Sequence, residues 1–305
     1  MKATEVSYGC EAVSDVTVLQ RALDLGINFF DTARPYEGGR NESVLRAALG
    51  TRRKEVIVCS RSYGKDAPTV KRELDESLQE LRTDYLDIWY LGAKDSPESV
   101  PDDMLEVQMA AQKAGKVRFR GLSTHRLPNM RDFILQRGRF DVVQVAYNFT
   151  MGTPRDRLKT DPMAMEAALD ELKKAGVGVV AIKVMGGGYR GPAGSDPLRS
   201  VYQRPGAHVA ALRWALRHDR VQSASVRMAD REQVEENIRA MERPFSEEDR
   251  KLLAAHLERI GPLVCRMCGA CDGACPKGLP VSELVRCATY AEGYGVYAMG
   301  RERFN

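Results

Sequence analysis

Two groups of residues have the types and spacing to do chemistry. The first is an acid and a phenol five positions apart, Asp31 and Tyr36, within the stretch NFFDTARPY at residues 28–36. Ile27, Phe29 and Phe30 are bulky and apolar, as in a strand buried on both faces. Asp31 stands where that strand ends, and Pro35, Gly38 and Gly39 mark the loop beyond it. A carboxylate in that place needs a cation, because burying it unpaired is too costly. A tyrosine beside the same cation could donate a proton. Taken alone, the stretch also fits a plainer account: a loop aspartate capping a turn and a tyrosine packed on a helix. The second group is four thiols, Cys265, Cys268, Cys271 and Cys275, in the order C-x₂-C-x₂-C-x₃-C-P. Thiolates so spaced wrap an iron–sulfur cube, and Gly269 and Gly273 let the backbone approach its sulfides.

Zinc is the competing metal, but zinc sites usually pair two C-x₂-C units across a longer loop. The run matches that of bacterial ferredoxins, in which the fourth cysteine serves a second cluster. Only one run exists here, so either Cys275 bends back to its own cluster or Cys287 completes the site. Cys10 and Cys59 fall in apolar strands and read as packing. Tyr290, Tyr294 and Tyr297 recur at helical spacing and read as packing rather than as an electron relay.

The chain has 305 residues, with 46 Lys and Arg against 42 Asp and Glu, for a net charge of +4. Its basic residues are interspersed with acids, which gives no support to nucleic-acid or membrane partners. No run approaches a membrane span, and the first ten residues lack the apolar core of a signal peptide. Seven cysteines, four of them within eleven residues, argue against a disulfide framework and for a cytoplasmic protein.

The elements that must position these residues alternate regularly. Strands are expected over 5–10, 28–33, 55–61, 85–92, 117–124, 142–148, 178–185 and 221–227. Amphipathic helices are expected between them: 15–25 closed by Gly26, one from Asn41, one from Pro68, 102–114, 128–137, 163–176 and 207–218. Asp230 reads as an N-cap with Gln233 completing a capping box for the helix after the last strand. Eight strand–helix units in about 240 residues are the signature of a (β/α)₈ barrel. An open doubly wound sheet lacks support, since no G-x-G-x-x-G follows the first strand. The barrel is expected over 1–245. A further helix near 246–259 begins a small helical iron–sulfur tail over 246–305. In a barrel, chemistry sits where strands end, which draws attention to Asp31, Tyr36, Arg61, Gly92, Ser123, Thr124, His125, Gln144, Lys183 and Arg227.

NFFDTARPYEGG, GLST, VVQVAYN and QVEEN, in that order, resemble stretches of the aldo-keto reductases over about residues 3–245. The resemblance implies a barrel that binds NADPH and reduces a small carbonyl or oxidises an alcohol. It implies that Ser123 and Gln144 hold the nicotinamide carboxamide, and that Glu236 and Asn237 meet the adenine. Arg227, where relatives often carry lysine, would meet the 2′-phosphate, for which an arginine fork is suited. One branch of that family carries a ferredoxin-like tail, and this chain looks similar to it from end to end. That branch implies a [4Fe–4S] cluster on Cys265, Cys268, Cys271 and Cys275, structural or exchanging electrons with a redox partner protein.

The chain departs from the family pattern at two of four catalytic positions. Asp31 and Tyr36 match, but Arg61 stands in the lysine position and Gly92 in the histidine position. Arg61 could supply the cation that Tyr36 requires, while the missing histidine removes a donor to the carbonyl oxygen; His125, at the end of the fifth strand, reads equally as its replacement or as packing beside the cofactor. Relatives begin with a hairpin beneath the barrel; only a few residues precede the first strand here, so either the true start lies upstream of residue 1 or other residues cover the bottom. Two readings result: an NADPH-dependent reductase with an altered tetrad, or a cofactor-binding or electron-transfer protein on a disabled reductase barrel.

Overall fold

The computed structural model describes residues 2–11, 15–138, 140–153, 156, 158–186, 206–260, 271, 273–289 and 301. Eight parallel strands close into a barrel in sequence order: β1 (Val6–Gly9), β2 (Phe29–Asp31), β3 (Ile57–Ser62), β4 (Leu86–Leu91), β5 (Val117–Thr124), β6 (Val142–Ala146), β7 (Gly178–Ile182) and β8 (Ser223–Arg227). The closing ladder aligns Gly9 of β1 with Arg227 of β8. The described helices are α1 (Val16–Asp24), α2 (Asn41–Leu49), α3 (Ala67–Leu81), α4 (Asp102–Lys113), α5 (Leu127–Asp132), α6 (Pro162–Lys174), α7 (Ala207–Ala215), α8 (Arg231–Asn237), α9 (Glu247–Ile260) and α10 (Val281–Ala288).

Local chemistry accounts for many of the boundaries. The side chains of Asp15, Asp66, Asp161 and Asp230 accept from the backbone N–H groups of Thr17, Thr69, Met163 and Gln233, satisfying donors that a helix start leaves open. Gln233 turns its Oε1 back to the Ala229 N–H, one residue ahead of the cap, at 3.0 Å. Two elements end earlier than the apolar runs imply. β7 stops at Ile182 because Lys183 turns to φ 57°, which no strand accommodates. The helix expected over 128–137 is α-helical only to Asp132 and continues to Gly138 as a π-helical segment.

The core has two parts. The larger lies between the barrel's outer wall and its helices, built on residues such as Leu19, Leu45, Leu74, Met104, Leu169 and Leu212. The smaller fills the barrel itself with Phe29, Cys59, Ile88, Tyr90 and Val180. Tyr90 fits only because β5 carries glycine opposite it: a Cβ on Gly121 would come within 2.3 Å of the Tyr90 ring. The apolar column rises through the barrel and gives way to polar groups at the carboxyl ends of the strands.

Helix α9 is fastened to the barrel. Arg213 of α7 meets Asp249 of α9 at 3.4 Å, Arg243 meets the same carboxylate at 2.7 Å, and Leu253 joins the larger core. The expected division after residue 245 therefore separates a helix from the surface on which it packs. Most of the glycine-rich loop after β7, and Cys265, Cys268, Tyr290, Tyr294 and Tyr297, lie outside the described residues. Among the described residues no helix is long and apolar enough to cross a membrane.

Candidate active site

Strand alternation sends every second side chain into the barrel, which places Asp31 above Phe29, Arg61 above Cys59 and Gln144 above Val142. These polar residues meet at the top of the interior column, and all three are buried. The Asp31 carboxylate accepts from Arg61 Nη2 on Oδ1, and from Gln144 Nε2 on Oδ2 at 2.8 Å. The Cys59 thiol donates to Oδ1 at 3.2 Å, and the Ser225 hydroxyl lies 3.4 Å from Oδ2. Arg61 donates through Nη1 to Gln144 Oε1 at 2.6 Å and lies 5.5 Å above the Tyr90 ring. Ser123 adds its hydroxyl to the same Gln144 oxygen at 3.1 Å.

This arrangement answers the energetic question posed by the sequence. A buried ion pair is tolerable only where both partners are well hydrogen-bonded, and here the carboxylate has several donors while the guanidinium uses both terminal nitrogens. Burial opposes the charge of Arg61, yet the Asp31 carboxylate and the nearby Tyr36 and Tyr63 phenols hold its pKa well above the usual arginine value. Arg61 is thus a fixed cation beneath the mouth of the barrel. The same burial pushes the Cys59 and Cys10 thiols up, so neither is a nucleophile here.

Tyr36 opens a tight turn, Tyr36–Gly39, immediately after Pro35, in which Glu37 and Gly38 take positive φ. Burial drives its phenol up; Arg61 pulls it down and Asp31 and Tyr63 push it up, for a net rise above the ordinary value. Tyr36 is therefore protonated at neutral pH and holds a transferable proton. Its hydroxyl lies 3.5 Å from that of Tyr63. Tyr63 is a site residue that motif reading missed, although alternation carries the inward face of β3 from Arg61 to position 63.

His125 is held elsewhere. Its backbone N–H donates to Asp95 Oδ1 at 2.6 Å and its ring Nδ1 lies 3.3 Å from Asp95 Oδ2, while Thr124 also donates to Asp95 at 2.9 Å. Burial raises the Asp95 carboxyl, but these hydrogen bonds outweigh it and hold the pKa at about 2. The histidine ring is thus tied to the loop after β4, and no described contact joins it to Tyr36 or Arg61. Lys94 in that loop donates its ammonium to the Gly64 carbonyl at 2.8 Å. Burial lowers its pKa.

Of the residues associated with the cofactor by resemblance, Ser123 and Gln144 are drawn into the Asp31–Arg61 network. Arg227 is the last residue of β8 and half-buried, and Glu236 is half-buried on α8. Asn237, the last residue of α8, is buried, and its Oδ1 has no hydrogen-bond partner among the described residues. A buried acceptor without a donor is costly, so the Asn237 amide suits a ligand bearing an N–H group, as an adenine does. In the tail, Cys271 and Cys275 are half-exposed, and each carbonyl accepts from a backbone N–H three residues on, at 3.2 and 3.0 Å. Cys287 is buried in α10. Among the described residues no group of three or more His, Cys, Asp or Glu could hold a metal; two of the four run cysteines are not among them.

Residues 9–258 match the family model described as "Aldo/keto reductase family". The chain is similar to the uncharacterized oxidoreductase YqkF of Bacillus subtilis, 25% identical over 158 residues, covering 48% of this chain and 50% of that protein. It is similar to L-galactose dehydrogenase of Arabidopsis thaliana, 29% identical over 262 residues, covering 77% of this chain and 80% of that protein. Among solved structures, an aldo-keto reductase from Klebsiella pneumoniae in complex with NADPH superposes with a TM-score of 0.64 at 21% identity, covering 83% of this chain and 90% of that one. At that identity the likeness is one of fold.

Proposed function

The chain belongs to the aldo/keto reductase family, and on that premise we propose that it moves a hydride between NADPH and a small carbonyl or alcohol substrate, with Tyr36 as proton donor. The observation that carries the reading is the buried Asp31–Arg61 pair beneath the Tyr36 turn. A disabled barrel would have no reason to keep a guanidinium in a place where its desolvation must be offset by so many hydrogen-bonding neighbours. At position 61, one of the two departures, the proposed tetrad exchanges lysine for arginine and keeps the cation.

The dinucleotide, when bound, would supply the hydride as NADPH or accept it as NADP⁺. What this chain contributes is a polarised phenol and a site for the dinucleotide. Arg61 stabilises negative charge as it develops on Tyr36, an electrostatic effect strongest where water is excluded. Asp31 and Gln144 hold the guanidinium in orientation. Arg227 is assigned to the 2′-phosphate, Glu236 and Asn237 to the adenine, and Ser123 and Gln144 to the nicotinamide carboxamide. The orphaned Asn237 oxygen supports the adenine assignment. The Klebsiella relative, which is bound to NADPH, supports the choice of dinucleotide.

The tail is assigned a [4Fe–4S] cluster on Cys265, Cys268, Cys271 and Cys275, with Cys287 as the alternative fourth ligand. Its support is the spacing of the run and the exposure of Cys271 and Cys275. Whether structural or exchanging electrons with a partner protein, such a cluster fits a reducing cytoplasmic location.

The test is consumption of NADPH by anaerobically purified protein against a panel of aldehydes and ketones, with the reverse reaction run on the matching alcohols. Turnover on at least one pair, lost in Tyr36→Phe while NADPH still binds, is the expected result. Wild-type turnover in Tyr36→Phe would overturn the assignment.

A further inference from the structure

Gly92, the residue after β4, leaves the mouth of the barrel without a side chain there, and Tyr63 fills the space. A Cβ built at position 92 would lie 3.0 Å from both Cδ1 and Cε1 of the Tyr63 ring. A side chain at 92 would press on that ring, so the glycine and the tyrosine form one arrangement. The loop bearing Tyr63 is fixed on both sides. The Gly92 N–H donates to the Ser62 carbonyl at 2.8 Å. The Ser62 hydroxyl donates to Glu73 and accepts from the Gly64 N–H at 2.9 Å. Lys94 then holds the Gly64 carbonyl from below. A surface tyrosine with no duty would not need such an anchored backbone.

The anchoring sets two phenols side by side, their oxygens 3.5 Å apart. That separation is long for a direct hydrogen bond but suits a third oxygen accepting from both. An acceptor about 2.8 Å from each would see its two donors at an angle of roughly 80°, within the broad range that carbonyl lone pairs accept. Tyr63 is 40% exposed, so the pair is open to a substrate arriving from solvent.

We propose that Tyr63 is a second hydrogen-bond donor to the substrate's carbonyl oxygen, working beside Tyr36 and standing in for the side chain that Gly92 lacks. The inference rests on the carbonyl chemistry proposed above. In that step the hydride from the reduced nicotinamide forms the new C–H bond, the carbonyl π pair moves onto oxygen, and Tyr36 gives its proton to that oxygen. Tyr63 keeps its own proton and lowers the energy of the charge while it is on oxygen. The substrate is thereby a carbonyl whose oxygen can reach between two phenols, which favours slim, unhindered aldehydes over ketones flanked by bulk on both sides.

Tyr63→Phe tests this without emptying the site, because the ring that packs on Gly92 is retained. With 4-nitrobenzaldehyde as probe, kcat should fall about 100-fold, the scale of losing one donor to a developing oxyanion, while KM for NADPH stays unchanged. A second arm needs no turnover: benzoate, whose carboxylate presents a charged oxygen, should bind the NADP⁺ complex about tenfold more weakly in Tyr63→Phe, read by tryptophan fluorescence. Wild-type kcat and wild-type benzoate affinity in Tyr63→Phe would overturn the inference alone, with Tyr36→Phe inactive and the carbonyl reading intact. If the wild type reduces no carbonyl, the function proposed above fails. The hydroxyl pair then stands as an oxygen-anion site only if benzoate binds and weakens in Tyr63→Phe; absence of binding overturns it too.

Discussion

A guanidinium can do what an ammonium cannot at position 61. Its fork reaches Asp31 with one nitrogen and Gln144 with the other, so a single cation ties two strands of the barrel to β3. Arg61→Lys keeps the charge and loses one of those bonds. It should retain carbonyl reduction with a lowered melting temperature. Arg61→Met removes the cation and leaves the Asp31 carboxylate buried without its partner, which costs about 3–5 kcal/mol. That variant should lose both turnover and stability, seen as a drop in the urea midpoint at unchanged slope. Equal stability of Arg61→Met and wild type would show that the pair is not what holds Asp31 in the barrel. Arg227 carries a different kind of prediction, because its role is discrimination between cofactors. Arg227→Ala should weaken NADPH by roughly 1.5–3 kcal/mol, the range for hydrogen bonds to a charged group, and leave NADH nearly as before. Fluorescence titration with both dinucleotides checks it, and equal losses for the two would count against a phosphate contact.

The strands decide which of these residues meet. Period-two alternation lets Phe29 and Asp31, or Cys59 and Arg61, be read from sequence as successive inward positions. It also explains why β2 could be recognised from three apolar residues and an acid. What alternation could not show was the cross-barrel register: nothing local says that Arg61 reaches Gln144, 83 positions away in the chain. Tyr63 was overlooked for a related reason. It lies one residue past the end of β3, where a propensity reading ends the element, and its importance appears only against the Gly92 that faces it. His125 shows the converse, since its place at the end of β5 was legible and its hydrogen bonds to Asp95 were not. Gly121 offers a test of how tightly the strands are fitted. Its missing side chain admits the Tyr90 ring beneath Arg61, so Gly121→Ala must push ring or backbone aside. Overpacking of this kind costs about 1–3 kcal/mol, and the loss should appear in chemical denaturation. A neutral outcome would mean that the Tyr90 ring has room to turn.

At the scale of the whole molecule, the chain divides by the kind of force that holds each part. The barrel was legible because eight repeats of one pattern reinforce each other, so that errors of two or three residues at a boundary leave the topology intact. The tail has no such redundancy: its signature is four thiols, and the cluster proposed for them is not part of the sequence. Where the barrel ends was correspondingly hard to read. Helix α9 looks like the start of a new unit by its polar composition, yet Asp249 and Leu253 bind it to the barrel. Among the described residues, none beyond Leu257 joins the larger core. The two parts should therefore fail separately. Cys265→Ala in the full chain is expected to lose cluster iron and sulfide, because a thiolate is removed from a site that metal binding itself must organise. The same variant should bind NADPH with wild-type affinity, since Arg227, Glu236 and Asn237 lie on β8 and α8 within the barrel. Comparing Cys275→Ala with Cys287→Ala by iron content and low-temperature EPR then identifies the fourth ligand. A full cluster in Cys275→Ala with a degraded one in Cys287→Ala would move the assignment to the helix, and zinc in place of iron would remove the cluster. Loss of NADPH affinity together with iron would mean that the tail completes the cofactor site, and the separation drawn from the core would then be wrong.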